Sequence, residues 1–243
     1  MGDIKYMLKP DWVSWESIHD CIKRANETNL NNDVSLFSST LSVSELKDYL
    51  KDSYVFVAVL NDNIIGMNSL KIINSHLWWA KGDVGFECLT AIDPTYRNTG
   101  AYFGLRKVRT NFARSLGVKI MQFSTNIDNK NVQTINAKLG FKQVRYYASS
   151  KTWYYSVIMV RWLDGCPYSN RYCDFRFKLS KFSTKIVWRP GRICRLWPIS
   201  NSDYKKISEK YQLCSDFMSI EEFCQKTEIN YNRFNKWKEN HHL

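Results

Sequence analysis

Residues 93–102 (DPTYRNTGAY) combine a proline, an arginine and a glycine between a strand-like run and a helix-like run. The preceding residues 84–92 are largely apolar, and residues 102–116 carry apolar side chains at helical spacing. The first backbone N–H groups of a helix have no partner inside the helix, and the helix dipole places partial positive charge there. A strand that passes through a small glycine-containing turn into a helix therefore predicts a seat for an anion such as a pyrophosphate.

The elements around this loop form a mixed series of strands and helices. Residues 54–60 and 64–73 flank the turn Asn61-Asp62-Asn63, which predicts a β-hairpin. In the helix after the loop, Leu105 and Val108 mark the apolar face, which places Arg106 and Arg109 elsewhere on the helix. From residue 4 to residue 160 the pattern predicts the order β-α-α-β-β-β-α-β-α-β-β, with the polar residues 29–40 as a loop. This order is typical of a mixed α/β domain.

Length and composition narrow the class of protein. The chain has 243 residues, of which 44% are hydrophobic, so it can build the core of one full domain with an addition, or of two small domains. No apolar run reaches the length that spans a bilayer, and residues 1–9 lack the features of a secretory signal. The seven cysteines are scattered without a C-x-x-C pair, which favours neither a disulfide framework nor a metal site. We therefore expect a cytoplasmic protein with no metal ion and no membrane span.

The net charge of +12 is concentrated in one part of the chain. Residues 151–200 hold ten lysines and arginines against Asp164 and Asp174, and they are rich in aromatic side chains. Such a region suits a polyanion, an anionic lipid surface or a phosphorylated substrate, or it forms an ordinary solvated basic face. We predict a main domain over residues 1–163, a basic aromatic extension over residues 164–200 and a small helical tail over residues 201–243.

The helical tail carries a weaker second pattern. Residues 219–237 resemble the helix-turn-helix segments of small transposon-encoded proteins, in which Asn232, Arg233, Asn235 and Lys236 would face DNA. Affinity for DNA rests mainly on neutralising phosphates, and the acidic and basic residues of the tail balance. The sequence therefore favours a helical appendage over a DNA-reading unit.

Three motifs in the first two thirds of the chain belong together. The run from Arg97 to Tyr102 (RNTGAY), with Pro94 three residues before it, follows the pattern Q/R-x-x-G-x-G/A except at its last position. Asn131 is followed ten residues later by Phe141 at the end of KLGF, and Glu87 stands seven residues before Pro94. With these motifs and the order of its elements, the chain resembles the GNAT superfamily of acyl-CoA-dependent N-acyltransferases.

This resemblance implies a fold, a cosubstrate and a set of contacts. The fold would be α/β (α+β), a central, mostly antiparallel twisted sheet flanked by helices, with the basic and helical C-terminal extension added. The cosubstrate would be acetyl-CoA or another acyl-CoA, and the partner a small-molecule amine such as an amino sugar or sugar nucleotide; an oligomer stays open. The cofactor-binding residues implied are Ala91, Ile92, Arg97, Asn98, Thr99, Gly100, Ala101, Tyr102 and Asn131.

The reaction implied is the attack of a neutral amine on a thioester, which requires a base and an acid. Glu87 is the candidate base, and its alternative is a structural carboxylate that faces solvent or pairs with a lysine. Strict alternation along the strand predicts that Glu87, Leu89 and Ala91 share one face. Cys88 has no histidine near it in sequence, so we expect an inert thiol rather than a nucleophile.

Two residues depart from the pattern of the family. Asn136 stands where many members carry the tyrosine that protonates the departing thiolate, and Tyr102 stands where glycine or alanine is usual. Tyr146 is the candidate acid instead, with Tyr147 or water as alternatives. These departures leave open a retained fold whose site has decayed. A separate rival is a nucleic-acid-binding or nucleic-acid-modifying protein on the same scaffold, whose basic aromatic region over residues 151–197 follows a phosphate backbone.

Overall fold

The computed structural model describes residues 3–31, 41–150, 153–216 and 218–241. The strands are β1 (Lys5–Leu8), β2 (Tyr54–Leu60), β3 (Asn63–Leu77), β4 (Ala80–Ile92), β5 (Ile120–Asn126), β6 (Lys142–Ala148) and β7 (Tyr155–Trp162). The α-helices are α1 (Trp15–Asn31), α2 (Val43–Leu50), α3 (Ala101–Ser115), α4 (Lys130–Lys138), α5 (Asn170–Val187), α6 (Asn201–Gln212), α7 (Ile220–Thr227) and α8 (Tyr231–Asn240).

The strands form one sheet in the order β1-β2-β3-β4-β5-β7-β6. Every neighbouring pair is antiparallel except β4 and β5, which run parallel. The mostly antiparallel sheet and the mixed α/β class predicted from the sequence are therefore confirmed.

The predicted hairpin is present as β2 and β3, which pair from Tyr54 opposite Leu70 to Leu60 opposite Asn63. Asn61 and Asp62 join the strands with positive φ angles of 47° and 62°. Two consecutive left-handed residues match the right-handed twist of the strands, and Asn and Asp adopt that conformation at low cost. The predicted loop over residues 29–40 is partly wrong, because α1 continues to Asn31; residues 32–40 lie outside the described residues.

Helices cover both faces of the sheet, and each face has its own core. On one face α1 and α2 pack Ile18 and Leu46 against Val57 of β2. On the other face Leu105 of α3 packs with Leu70 and Met121, and α3 also contacts β1. Gly104 permits that contact, because a Cβ atom there would lie 2.1 Å from the ring of Tyr6. The N-terminal part of α3 therefore packs closely against β1.

Helix α5 accounts for half of the predicted extension over residues 164–200, and it packs as part of the sheet domain. Strand β6 is the last strand of the sheet, so one of its edges has no neighbouring strand. The Ser180 hydroxyl accepts a hydrogen bond from the Tyr146 N–H at 2.8 Å, and the Thr184 hydroxyl donates to the Tyr146 carbonyl at 3.0 Å. Two side chains of α5 therefore satisfy backbone groups of the exposed edge.

The last three helices form a separate small core. Phe223 of α7 and Phe234 and Trp237 of α8 pack with Ile207 of α6 and with Trp153, which precedes β7. Capping boxes begin α6 and α7, and Asn230 caps α8. An ion pair between Arg195 and Glu228, joined by the hydroxyl of Tyr155, ties this unit to the sheet domain. The tail predicted to be helical is therefore a packed three-helix unit.

Three further features concern thiols, membranes and metals. All seven cysteines are free thiols. Within the ranges that the structure describes, every helix is too short or too polar to cross a bilayer, and no three His, Cys, Asp or Glu side chains converge on a point where a metal ion could bind.

Candidate functional site

The strongest irregularity of the sheet is the junction between β4 and β5. The two strands pair in parallel only from Val84 opposite Ile120 to Glu87 opposite Phe123. Beyond that point they separate, and the side chains of Thr90 on β4 and Ser124 on β5 are exposed. A wedge therefore opens inside the sheet, with Glu87 and Phe123 at its apex and the loop after β4 at its rim.

A β-bulge in β4 adjoins the apex of the wedge. Leu70 of β3 faces Glu87 and Asn68 faces Thr90, so that Ser69 stands opposite two residues, Cys88 and Leu89. The Leu89 N–H donates to the Ser69 hydroxyl at 3.0 Å, which satisfies a backbone group that the bulge displaces from the ladder. The bulged strand bends at this point, which is where β4 leaves β5.

The bulge overturns the expectation that Glu87, Leu89 and Ala91 share a face. Glu87 faces α3, whereas Leu89 and Ala91 pack with the core under α1 and α2. One extra residue shifts every later side chain to the opposite face of the strand. Cys88 is half-buried beside Ser53 and packs on that same side; burial raises the pKa of its thiol, as expected for an inert cysteine.

Along the wedge, successive backbone N–H groups of β4 point to opposite sides of the strand. Ala91 pairs with Met67 of β3, and the next odd-numbered residue, Asp93, donates its N–H to the Ile65 carbonyl at 3.0 Å. Because backbone groups alternate along a strand, the amides of Thr90 and Ile92 face the wedge. Ala91 and Ile92 are the two residues of this strand that the sequence predicted to bind the cofactor. The amide of Ile92 faces the wedge, whereas the amide of Ala91 faces β3.

The loop at the rim is fixed by Asp93. Its carboxylate accepts the Thr95 N–H at 3.0 Å and begins the short 3-10 turn Pro94–Tyr96. Its other oxygen lies 2.5 Å from Nε of Arg24 in α1. Burial is the largest single influence and opposes ionisation of Asp93, but the hydrogen bonds from Arg24 and Thr95 and the charge of Arg24 together hold the pKa below its usual value. The rim is therefore tied to the helix on the other face of the sheet.

The start of α3 has the features predicted for an anion seat. Gly100 precedes the helix with φ at 82°, a left-handed conformation that favours glycine, and it supplies no side chain to cap the helix. The amides of Ala101 and Tyr102 therefore begin a helix whose first donors have no intrahelical partner. Arg97 and Asn98 are exposed on the turn before it, and Arg97 donates to the Ala25 carbonyl at 3.3 Å.

Two arginines that the sequence placed away from the apolar face are buried at the apex of the wedge. Nη2 of Arg109 lies 2.6 Å from Oε1 of Glu87, and Nη2 of Arg106 lies 3.6 Å from the same oxygen. Arg109 has no exposed surface, and its angle to Glu87 is that of an ion pair rather than an aligned hydrogen bond. Burial lowers the pKa of Arg109 while Glu87 opposes that change, and a guanidinium stays charged in either case.

A polar network links this charge cluster to α4. Arg106 donates to the Asn136 side-chain oxygen and, at 2.8 Å, to the hydroxyl of Tyr102. Asn136 is buried and donates to the Val132 carbonyl at 2.7 Å, and its amide nitrogen lies 3.3 Å from the Tyr102 oxygen. The two residues that depart from the family pattern are therefore in direct contact. Tyr102, Arg106 and Arg109 follow one another on α3 at spacings of four and three residues, which places their side chains on one face of the helix. This spacing could have predicted that the three side chains lie together.

The remaining predicted residues are spread more widely. Thr99 donates its hydroxyl to the Tyr96 carbonyl at 2.8 Å within the turn, and Asn131 is exposed in the first turn of α4. Tyr146 lies on β6, buried beside Tyr155 and Phe177 and beneath α5. Three strand spacings of about 4.8 Å separate its strand from that of Glu87.

The structure therefore does not bring the two predicted catalytic residues together. Tyr146 lies with the anchoring contacts of α5, and burial raises the pKa of its hydroxyl. A hydroxyl with a raised pKa is a weaker acid. Both this and the separation of Tyr146 from Glu87 argue against Tyr146 as the catalytic acid.

The contacts of Glu87 predict a large effect on stability. In Glu87→Gln the side-chain volume is kept but Arg109 loses its counter-ion, and we expect a loss of about 3 kcal/mol in the free energy of unfolding. Asp52→Asn is the matched control, because Asp52 pairs with Lys71 at the surface, and it should cost less than about 1 kcal/mol. Urea titrations compare both variants. A Glu87→Gln protein as stable as the wild type would show that the carboxylate is not the structural counter-ion of Arg109.

Comparison with known proteins places this geometry in a family. Residues 15–141, just over half of the chain, match the family model described as the acetyltransferase (GNAT) family. None of the curated proteins matched the chain.

Solved structures share the fold at low sequence identity. One is PH1933 from Pyrococcus horikoshii OT3, with 17% identity, a TM-score of 0.52, and coverage of 66% of this chain and 98% of that chain. Another is the ribosomal-protein-S18-alanine N-acetyltransferase from Escherichia coli, with 12% identity, a TM-score of 0.51, and coverage of 69% and 98%. A third is a chain of the NatC complex bound to Gag peptide and CoA, with 15% identity, a TM-score of 0.51, and coverage of 66% and 99%.

These likenesses concern the fold, and the family match concerns the sequence that builds the wedge and its rim. Strands β2 to β5 with helices α1 to α4 lie within the matched residues, as do Glu87, the turn before α3 and Asn136. The chain belongs to the GNAT acetyltransferase family.

Proposed function

We propose that this protein transfers an acetyl or short acyl group from acyl-CoA to the amine of a small molecule. The observation that carries the proposal is the wedge between β4 and β5, which leads directly to the uncapped N-terminus of α3. The wedge offers strand amides to an amide-containing arm, and the helix start offers amides to a diphosphate. Coenzyme A has these two parts in this order. The NatC complex, one of the structural neighbours, is bound to CoA, which agrees with the proposal.

The proposed cosubstrate contacts follow the path of the wedge. The amides of Thr90 and Ile92 would pair with the pantetheine arm, and the amides from Gly100 to Tyr102 would hold the diphosphate. Arg97, Asn98 and Thr99 surround that seat, and Asn131 flanks it from α4. A cleft of about 240 Å³ between α3, the end of α4 and β7 includes Arg106, Lys107, Arg114 and Arg161 and has no carboxylate in its lining. Its positive field favours a ligand with several phosphates.

Binding of acetyl-CoA is the first measurable consequence. Calorimetric titration of the whole chain should give a saturable heat, and Arg97→Glu should weaken the affinity at least about 100-fold because it sets a carboxylate beside the diphosphate. Arg145→Glu, which changes an exposed arginine on β6, is the charge-matched control and should bind as the wild type does. No heat and no thermal shift at millimolar acetyl-CoA would overturn the proposed function.

The chemistry needs a free amine, an electrophilic carbonyl carbon and a protonated leaving group. The amine nitrogen bonds to the thioester carbon, the carbon–sulfur bond breaks, and the thiolate takes up a proton. Glu87 is the base expected from the sequence, but its carboxylate is buried against Arg109 and Arg106 rather than open to an amine. We infer that Glu87 positions the arginines and that water carries the amine proton away. The acceptor would approach from the α1 and α2 side, where the bulge sets Cys88 and Leu89.

Tyr102 is our candidate for the proton donor. Its hydroxyl lies in the gap between α3 and α4 and touches Asn136, the residue that stands where many relatives carry an acidic tyrosine. Arg106 donates to the same oxygen, so its positive charge would stabilise the phenolate left after proton transfer. The tyrosine side chain thus comes from α3 in place of α4.

Replacing this hydroxyl should affect turnover rather than binding. Tyr102→Phe keeps the ring, so we expect kcat to fall about 100-fold with a nearly unchanged KM for acetyl-CoA. Tyr146→Phe serves as the matched variant and should keep kcat within about twofold. A larger loss for Tyr146→Phe than for Tyr102→Phe would refute the assignment. An amino sugar or sugar nucleotide is the first acceptor class to assay.

A second function of the C-terminal unit is favoured by one observation. Helices α7 and α8 are joined by the three residues 228–230, and Glu228 adopts a left-handed conformation with φ at 56°. Phe234 and Trp237 hold α8 in the small core, which leaves Asn232, Arg233 and Lys236 exposed on the outer face. A short turn between two helices, the second with polar side chains outward, is the layout of a helix-turn-helix reader of duplex DNA.

A gel shift with duplex DNA tests this second function. The affinity should fall steeply as salt rises, and Lys236→Glu on α8 should weaken it at least about tenfold. Lys206→Glu on α6 makes the same charge change outside α8 and should have a much smaller effect. Equal losses in both variants would indicate non-specific attraction to a basic protein, and binding that does not respond to salt would contradict the proposal.

A further inference from the structure

The outward face of α5 carries a continuous apolar stripe. Tyr172, Phe175, Leu179, Phe182 and Ile186 are all exposed, with relative exposures from 38% to 68%. Tyr172 is the least exposed of them, because its ring also packs against Trp78 and Tyr168. Their positions differ by three, four, three and four residues, so they lie in one line along the helix. Single exposed apolar residues are common on soluble proteins, but a contiguous stripe of five large ones marks an interaction site.

The stripe cannot turn inward, because the opposite face of α5 is already bound to the sheet. Cys173 is buried, and the ring of Phe177 lies edge-on to Tyr146. The hydroxyls of Ser180 and Thr184 bond the N–H and the carbonyl of Tyr146. These contacts fix the rotation of the helix about its axis. Among the described residues, nothing reduces the exposure of Phe175 and Phe182 below 60%.

The spacing of the stripe selects the kind of partner. An average repeat of 3.5 residues is the pattern of a helix-to-helix seam, in which each apolar side chain enters a gap of the facing helix. The helix has 18 residues, and the stripe from Tyr172 to Ile186 gives a seam of about 21 Å at 1.5 Å per residue. A face that lies in a membrane is wider, because helices there follow the 3.6-residue period and spread apolar residues over a broad arc. The stripe therefore fits a partner helix.

Charges beside the stripe select the chemistry of that helix. Arg171, Lys178 and Lys185 recur every seven residues along one flank, all three are exposed, and none of them forms an ion pair with another described residue. Asp174 is the single acidic residue of α5. Heptad positions that flank an apolar seam set the choice of partner through their charges. The matching helix carries glutamate or aspartate beside its apolar residues.

A second copy of this chain does not meet that requirement. In an antiparallel pair of α5 helices the flank with Lys178 would face its own copy, and like charges would meet along the seam. In a parallel pair Arg171 would face Arg176 of the other helix. Each arrangement places cations against cations, and the repulsion between them would destabilise the dimer. We propose that the exposed face of α5 docks an acidic amphipathic helix of a partner protein, independently of acyl transfer.

Binding of designed peptides to the whole protein tests the proposal. One labelled peptide of about 20 residues has leucines at the 3-4 spacing with glutamates beside them, and a matched peptide has lysines in place of the glutamates. Fluorescence anisotropy should show at least about tenfold tighter binding of the glutamate peptide. The double change Phe175→Ser and Phe182→Ser should abolish binding. Lys178→Glu with Lys185→Glu should exchange the preference between the two peptides.

Two controls separate this surface from other occupants. Leu213→Ser removes an exposed apolar side chain outside α5, and it should leave peptide binding unchanged. No binding of either peptide, or equal binding of both, would overturn the proposal. Light scattering that shows a dimer lost in Phe182→Ser would assign the stripe to a second copy. Phe182-dependent sedimentation with phosphatidylserine vesicles, without a peptide preference, would assign it to a membrane.

Discussion

The early end of the ladder between β4 and β5 is the constraint on which the site depends. Parallel strands inside a sheet normally exchange backbone hydrogen bonds along their whole length, because an unpaired buried amide costs free energy. Here the bulge at Cys88 and Leu89 bends β4 away after Glu87, and Ser69 satisfies the amide that the bulge displaces. The strand amides along the wedge are left to a ligand or to water. The fold thus creates an internal sheet edge that a second extended molecule can complete.

The apex of the wedge places charge where a core would normally be apolar. One carboxylate, Glu87, meets the guanidinium groups of Arg106 and Arg109, so the cluster has a net positive charge. Burying an incompletely paired cation costs several kcal/mol, and well-packed apolar residues would give a more stable core. The cluster fixes the relative positions of three elements, because it joins β4 to α3 and, through Asn136, to α4. An anionic ligand at the start of α3 would favour this arrangement and stabilise the folded state by binding to it.

The parts of the fold that depend on local sequence could be predicted, and the parts that depend on distant contacts could not. Asn61 and Asp62 specify a hairpin turn by themselves, and the run from Asp93 to Gly100 specifies a strand, a turn and a helix start. The bulge needs a hydroxyl from Ser69, a residue of another strand, so alternation gave the wrong face for Leu89 and Ala91. Similarly, nothing near Arg109 in sequence indicates that Glu87 would bring it into the core.

Tyr102 and Asn136 bear on whether the site is a working one. Considered separately, each removes a feature typical of the family, and together they would suggest a decayed site. In the structure their side chains touch, and both accept hydrogen bonds from Arg106. The polar atoms of the two residues therefore have partners inside the protein, with Asn136 also bonded to the Val132 carbonyl. Under the proton transfer proposed for Tyr102, the donating hydroxyl comes from α3, and Asn136 of α4 is in contact with it.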